Sequence, residues 1–189
     1  MKARVLSFSK EYLHECFLYN QYTGTLTWRI RPISHFCTEK SWLAFNRKCP
    51  GIVAGSMGFQ SNGDKAAIRI DVSESRGVQA HRIIWIMHNG SIPDGMIIDH
   101  KDGNPWNNRF ENLRLATKSQ NNQNTRIRKD NSTGYKGVCY IKKSDSYLVQ
   151  VRINGARVYS KRFKNLVDAV SAYSIEAEKH HGEFKRQTK

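Results

Sequence analysis

The stretch from Met96 to Asn124, MIIDHKDGNPWNNRFENLRLATKSQNNQN, constrains this chain more than any other. A short apolar run, Met96-Ile97-Ile98, ends on an acid–histidine pair, Asp99-His100. An Asn- and Gly-rich loop follows from Lys101 to Asn112, then a second apolar-alternating run, Leu113-Arg114-Leu115-Ala116. Thr117 and Gln120 have the spacing of a capping box, in which an N-cap side chain and the third helical residue bond each other's backbone. The pattern predicts strand, long loop, strand and short helix. That layout draws Asp99, His100 and Asn121 together from three separate elements.

The residue types suit one chemistry. Asp and Asn supply hard oxygen ligands, which match Mg²⁺ or a similar cation that keeps waters and also binds phosphate oxygens. A histidine beside such a cation takes a proton from water, since it titrates nearest neutral pH. Asn112 is expected to accept from the second ring nitrogen of His100 and so fix its tautomer. An EF-hand is excluded, because Asp99-His100-Lys101-Asp102-Gly103 places acids and glycine at the wrong spacing.

Asp99-His100, Asp102-Gly103-Asn104, Asn107-Asn108-Arg109, Asn112-Leu113-Arg114 and Asn121 together resemble HNH endonucleases of the phage homing type. The resemblance implies a ββα-metal motif that cleaves a phosphodiester bond. It assigns Asp99 and Asn121 to one divalent metal, Mg²⁺ with Mn²⁺ as the alternative, His100 to the general base and Asn112 to the residue that orients it. Asn122 remains the alternative to Asn121. The segment YNQYTGTLTWR likewise resembles the opening of phage HNH proteins, where this turn and strand precede the motif.

Charge points to the partner. The chain carries a formal charge of +15, and from Arg126 onward it has 15 basic against 6 acidic residues. A polyanion is the natural ligand, because each neutralised phosphate releases counterions. No apolar run approaches the ~20 residues that span a bilayer, and Met1 to Lys10 lacks a signal-peptide core. Cys16, Cys37, Cys49 and Cys139 form no C-x-x-C pair, which argues against zinc-bound HNH proteins. They read as reduced thiols of a cytoplasmic protein; the resemblance implies a phage-encoded one.

Along the chain, Ser9 to Tyr19 reads as a helix with Tyr12, Leu13, Cys16 and Phe17 on one face, and Thr25 to Trp28 as a strand. Pro32 to Pro50, with Arg31 beside it, reads as an irregular, solvated surface loop. Ala66 to Val72 is expected to be a strand, and Ala80 to Gly90 a helix ended by its glycine. Ile83, Trp85 and Ile86 belong to the core, and His81 reads as a core or DNA-contacting histidine, with approach to the active site as the alternative. Asn124 to Ser132 is polar and without apolar periodicity, a natural boundary. The expected division is therefore a nuclease domain over 1–125, a linker over 126–132 and a second domain over 133–189.

In that second domain three alternating runs, Tyr135 to Ile141, Tyr147 to Ile153 and Arg157 to Phe163, are joined by turns, one of them Asn154-Gly155. Asn165 caps a helix that ends at Gly182. The whole fold is expected to be α+β, a ββα-metal domain followed by a three-stranded antiparallel sheet with one packed helix. Tyr135-Lys136-Gly137-Val138 and Asp168-Ala169-Val170-Ser171-Ala172-Tyr173 resemble the Apetala-type (ethylene-response-factor) DNA-binding domain. That likeness implies a sheet face in the DNA major groove, with Lys136, Gln150, Arg152, Arg157 and Tyr159 at contacting positions. It departs from the family at Cys139, Gln150 and Tyr159, where Arg, Glu and Trp are usual.

These readings converge on a metal-dependent endonuclease that cuts double-stranded DNA, with no membrane partner and a monomer as the simplest state. The competing reading is a sequence-specific DNA-binding regulator whose HNH part is vestigial. A nicking assay with and without Mg²⁺ separates the two.

Overall fold

The computed structural model describes residues 8–61, 63–73, 75–127 and 130–186. Met1 to Ser7, within the segment read as lacking a signal-peptide core, and Arg128 and Lys129 of the expected linker lie outside them. The fold is mixed, with several small sheets and few helices, and it divides into two compact units, Met1–Leu115 and Ala116–Lys189.

The first unit opens with α1 (Lys10–Cys16), whose N-cap Ser9 accepts from the Tyr12 amide. The helix is shorter than the expected 9–19. At Phe17 the backbone turns extended and begins β1 (Phe17–Asn20), which pairs antiparallel with β2 (Thr25–Trp28). Bulky side chains from Phe17 to Tyr19 favour that pleated, half-buried setting over another helical turn.

Pro32 to Pro50 is not irregular. It holds a 3₁₀ turn, Ile33–His35, and the helix α2 (Glu39–Lys48), capped by Thr38. Nor does Arg31 lie in solvent. It is 4% exposed, and its guanidinium sits 4.7–5.9 Å from the ring centres of Tyr12, Trp28, Phe36 and Phe45. Its carbonyl accepts from Trp42 Nε1 and Asn46 Nδ2, at 2.9 and 2.8 Å. One aromatic-caged arginine thus organises a segment whose sequence has no apolar periodicity.

Next come β3 (Ser56–Phe59), β4 (Lys65–Val72) and β5 (Ser75–Gln79), an antiparallel sheet in the order β3-β4-β5. α3 (Ala80–Asn89) follows and stops at Gly90, as its sequence predicts. Ile83, Ile84, Ile86 and Met87 are buried on it and pack with Leu13, Phe17, Ile70 and Val72 in one core. Each such side chain, fully buried, contributes about 1.5–3 kcal/mol. The unit ends in the paired strands β6 (Ile97–His100) and β7 (Leu113–Ala116).

The second unit begins with α4 (Lys118–Gln123). β8 (Val138–Ile141), β9 (Ser146–Ile153) and β10 (Ala156–Phe163) then form an antiparallel sheet in the order β10-β9-β8. Asn154 and Gly155 both take positive φ, 50° and 83°, the geometry of the tight hairpin turn that Asn-Gly favours. α5 (Leu166–His181) covers the sheet and starts at the Asn165 cap, whose Oδ1 accepts from the Asp168 amide at 2.8 Å. Val138, Val149 and Ala169 form its small core. Gly137 must be glycine there: a Cβ would lie 2.0 Å from the Tyr173 ring.

Candidate active site

β6 carries Asp99 and His100 into the protein; they are 5% and 8% exposed. Across the strand pair, Asp99 Oδ2 accepts from Arg114 Nε at 3.0 Å, and Arg114 Nη2 lies 2.9 Å from the same oxygen. The second approach completes the ion pair but falls outside hydrogen-bond directions. Arg114 is itself only 9% exposed, so the pair is desolvated on both sides.

The ring of His100 is held by Asn108, with Nε2 2.9 Å from the carboxamide Oδ1. A neutral ring that donates from Nε2 keeps its lone pair on Nδ1, the atom that can take a proton. Asn108 is 1% exposed, and its Nδ2 has no hydrogen-bond partner among the described residues. Burial lowers the His100 pKa, more than the Asn108 bond and the charges of Asp102 and Asp99 raise it. His81 of α3 stands edge-on to His100, its ring centre 4.9 Å away. Burial, with His100 and Arg82 nearby, pushes the His81 pKa down to about 3. Both rings are neutral near pH 7.

Asn112 does not take the place expected of it. Its Oδ1 accepts from the Asp102 amide at 3.1 Å, and its Nδ2 donates to Asp102 Oδ1 and the Asn107 carbonyl, at 3.0 and 2.8 Å. Asp102 also accepts from the Asn104 amide and from Asn107 Nδ2, at 2.8 and 2.7 Å. Burial would raise the Asp102 pKa, but these bonds outweigh it and the net shift is downward. Asn112 therefore clasps the loop shut, and Asn108, four residues earlier in that loop, reaches the histidine. A loop without periodicity gives no signal for choosing between two asparagines in a sequence.

α4 begins with the capping box its sequence predicts. Thr117 Oγ1 accepts from the Gln120 amide at 3.2 Å, and Gln120 Oε1 accepts from the Thr117 amide at 2.7 Å. Asn121 lies on this helix half-buried and Asn122 exposed. Among the described residues, no group of three or more His, Cys, Asp or Glu side chains is arranged to hold a metal ion. The donors offered by the candidate residues are instead carboxylate and carboxamide oxygens, which fit a hard divalent cation completed by water and phosphate.

Residues 78–123 match the family described as HNH endonuclease. A 106-residue stretch, 56% of this chain, is 35% identical to protein 3.8 of Escherichia phage T7 and covers 87% of that protein. The chain belongs to the family of phage T7 protein 3.8. It is also 37% identical over 108 residues to an uncharacterized HNH endonuclease of Acanthamoeba polyphaga mimivirus, a match over 57% of this chain and 55% of that protein. No solved structure matches it.

The HNH endonuclease domain so delimited contains His81, Asp99, His100, Asn108, Asn112, Arg114 and Asn121. The contacts of Asn108 and Arg114 were not legible in the sequence, whereas the nearness of His81 to His100 is the alternative weighed there for that histidine. Arg114 follows Leu113 in an apolar alternation that hides its partner across the strands.

In the second unit the five residues expected at DNA do not share one face. Gln150 and Arg152 alternate with the buried Val149 and Val151, and so lie on the face away from α5. Arg157 pairs with Arg152, and with the Gln150 carboxamide oxygen turned toward it donates from Nε and Nη2 at 3.3 Å. A register shift between Arg157 and Tyr159 puts Tyr159 opposite Val151, packed against the core. Lys136 points to the end of α4, donating to the carbonyls of Gln123 and Thr125, both at 2.6 Å. Burial, with Arg186 nearby, draws its pKa down to about 8. An open cavity of about 860 Å³ in this unit is lined by Asn122, Arg126, Lys136, Gln150, Arg152 and His181 among others. All four cysteines are unpaired. Among the described residues no helix is long and apolar enough to cross a membrane.

Proposed function

We propose that this chain is a divalent-metal-dependent endonuclease that hydrolyses a phosphodiester bond of double-stranded DNA. The observation that carries the reading is the buried His100, held at Nε2 by Asn108 next to Asp99, inside the segment that matches the HNH family. His100 Nδ1 takes a proton from water as its oxygen attacks phosphorus, and the bond from phosphorus to the leaving oxygen breaks. Asp99 and Asn121 supply oxygen ligands to Mg²⁺, with Mn²⁺ as the alternative. The cation, when bound, stabilises the charge that builds on the phosphate and leaving oxygens. Asn112 serves the reaction by closing the Asp102–Asn112 loop, and Arg114 by orienting the Asp99 carboxylate.

The second unit, with its likeness to the Apetala-type domain, holds the duplex. Gln150, Arg152 and Arg157 form its contact surface, and the positive charge of residues from Arg126 onward supports that use. Nicking of a supercoiled plasmid with and without Mg²⁺ tests the reading. Metal-dependent conversion to open circle is expected. Metal-independent binding with no cleavage under any divalent ion would make the chain a DNA-binding regulator instead.

A further inference from the structure

We propose that the β1–β2 hairpin is a positioning device for His100, with Tyr19 as the residue through which it acts. This rests on the reading of His100 as general base.

Two contacts fix the loop segment that carries Asn108. The Tyr19 hydroxyl accepts from the Phe110 amide at 2.8 Å and donates to the Asn108 carbonyl at 3.2 Å. It thereby brackets the backbone on both sides of Arg109. Burial raises the Tyr19 pKa, so the hydroxyl keeps the proton it donates. The hairpin tip presses on the same stretch. Gly24 takes φ +71°, and a Cβ there would lie 2.5 Å from Arg109 N and 2.6 Å from the Asn108 carbonyl carbon. Those are backbone atoms, which cannot swing aside as a side-chain end can.

The turn is itself built to hold that shape. Asn20 Oδ1 accepts from the Tyr22 and Thr23 amides at 2.9 and 3.1 Å, and the Gly24 amide donates to the Asn20 carbonyl at 2.8 Å. The hairpin thus sets the Asn108 backbone from two points. The buried Asn108 side chain, leaving that backbone, reaches His100 Nε2 at 2.9 Å. Tyr19, Asn20 and Gly24 of the YNQYTG segment belong to the active site although none lies near it in sequence.

The packing of the Tyr19 ring against His88, centres 5.1 Å apart, is independent of the hydroxyl. Tyr19→Phe in the full chain therefore removes the bracket and keeps the ring. Side-chain ¹⁵N NMR of His100 reads the tautomer directly, without metal or DNA. Wild type is expected to show the Nε2–H form, and Tyr19→Phe a mixture with Nδ1–H. The plasmid-nicking kcat should fall by about 10- to 10²-fold, the scale of a misplaced group, with KM for plasmid unchanged. Asn108→Ala should reproduce both effects. If Tyr19→Phe melts early, the tautomer ratio taken well below its midpoint still decides. An unchanged tautomer in Tyr19→Phe overturns the proposal. A shifted tautomer with full kcat leaves the hairpin's hold on His100 standing and removes His100 as the base.

Discussion

Asn108 Oδ1 sits 2.9 Å from His100 Nε2, with both side chains buried. The relationship makes the tautomer of His100 a property of one carboxamide, and it separates two asparagines that look equivalent in sequence.

Asn108→Ala and Asn112→Ala should accordingly fail in different ways. Loss of Asn108 frees the ring and should lower single-turnover nicking with plasmid affinity kept. Loss of Asn112 removes the three part-buried hydrogen bonds that close the Asp102 loop and should lower stability by about 1–3 kcal/mol. Urea unfolding beside nicking assays separates them. Single-turnover nicking by folded Asn112→Ala as slow as that of folded Asn108→Ala would contradict the division of roles.

The Asp99–Arg114 pair makes a second case. Arg114→Met leaves a buried carboxylate without its guanidinium and should cost about 3–5 kcal/mol. Asp99→Asn combined with Arg114→Met should recover part of that loss, because the uncompensated charge is gone. A double variant less stable than Arg114→Met alone would count against the ion pair as the source.

Acid stability should report His81. In the folded protein its pKa is about 3, whereas an unfolded histidine takes a proton near pH 6.5. The unfolded state therefore binds more protons between those values, so stability present above pH 6.5 is lost as pH falls toward 3. His81→Gln should flatten the slope of stability against pH in that window by up to about 1.4 kcal/mol per unit. Parallel wild-type and variant curves would show that His81 is not neutral and buried.

Much of the fold was legible because local chemistry and tertiary structure agree. The Asn154-Gly155 turn, the Thr117–Gln120 capping box, and the ends of α3 and α5 are set by short-range bonds that any context would permit. Segment 32–50 was not legible, since its order comes from Arg31 inside an aromatic cage that joins its own Phe36 and Phe45 to Tyr12 and Trp28. Tyr159, which the Apetala-type likeness implies at DNA, packs against the core because a register shift after Arg157 turns it to the other face. Around His100, the choice of Asn108 as the partner of the ring was not readable. That choice depends on the path of a twelve-residue loop, Lys101 to Asn112, and on the hairpin pressed against it.

Lys136 and Arg152 should part company at DNA. The Lys136 ammonium is satisfied by carbonyls at the end of α4, so Lys136→Met should lower the melting temperature and leave the salt dependence of binding nearly unchanged. Arg152 is exposed on the outer sheet face. Arg152→Ala should reduce the log–log salt slope by roughly 0.9 if it meets a phosphate, or relax specificity by ~1–3 kcal/mol if it reads a base. Filter binding across a salt series distinguishes them, and a lowered slope for Lys136→Met alone would reverse the assignment.

The most direct measurement is cleavage of supercoiled plasmid by wild type and His100→Ala at matched Mg²⁺, with duplex binding measured on the same preparations. Wild type should nick, and His100→Ala should lose roughly 10²-fold or more in rate while binding DNA as tightly. Wild-type-like nicking by His100→Ala would contradict the assignment of His100 as the general base.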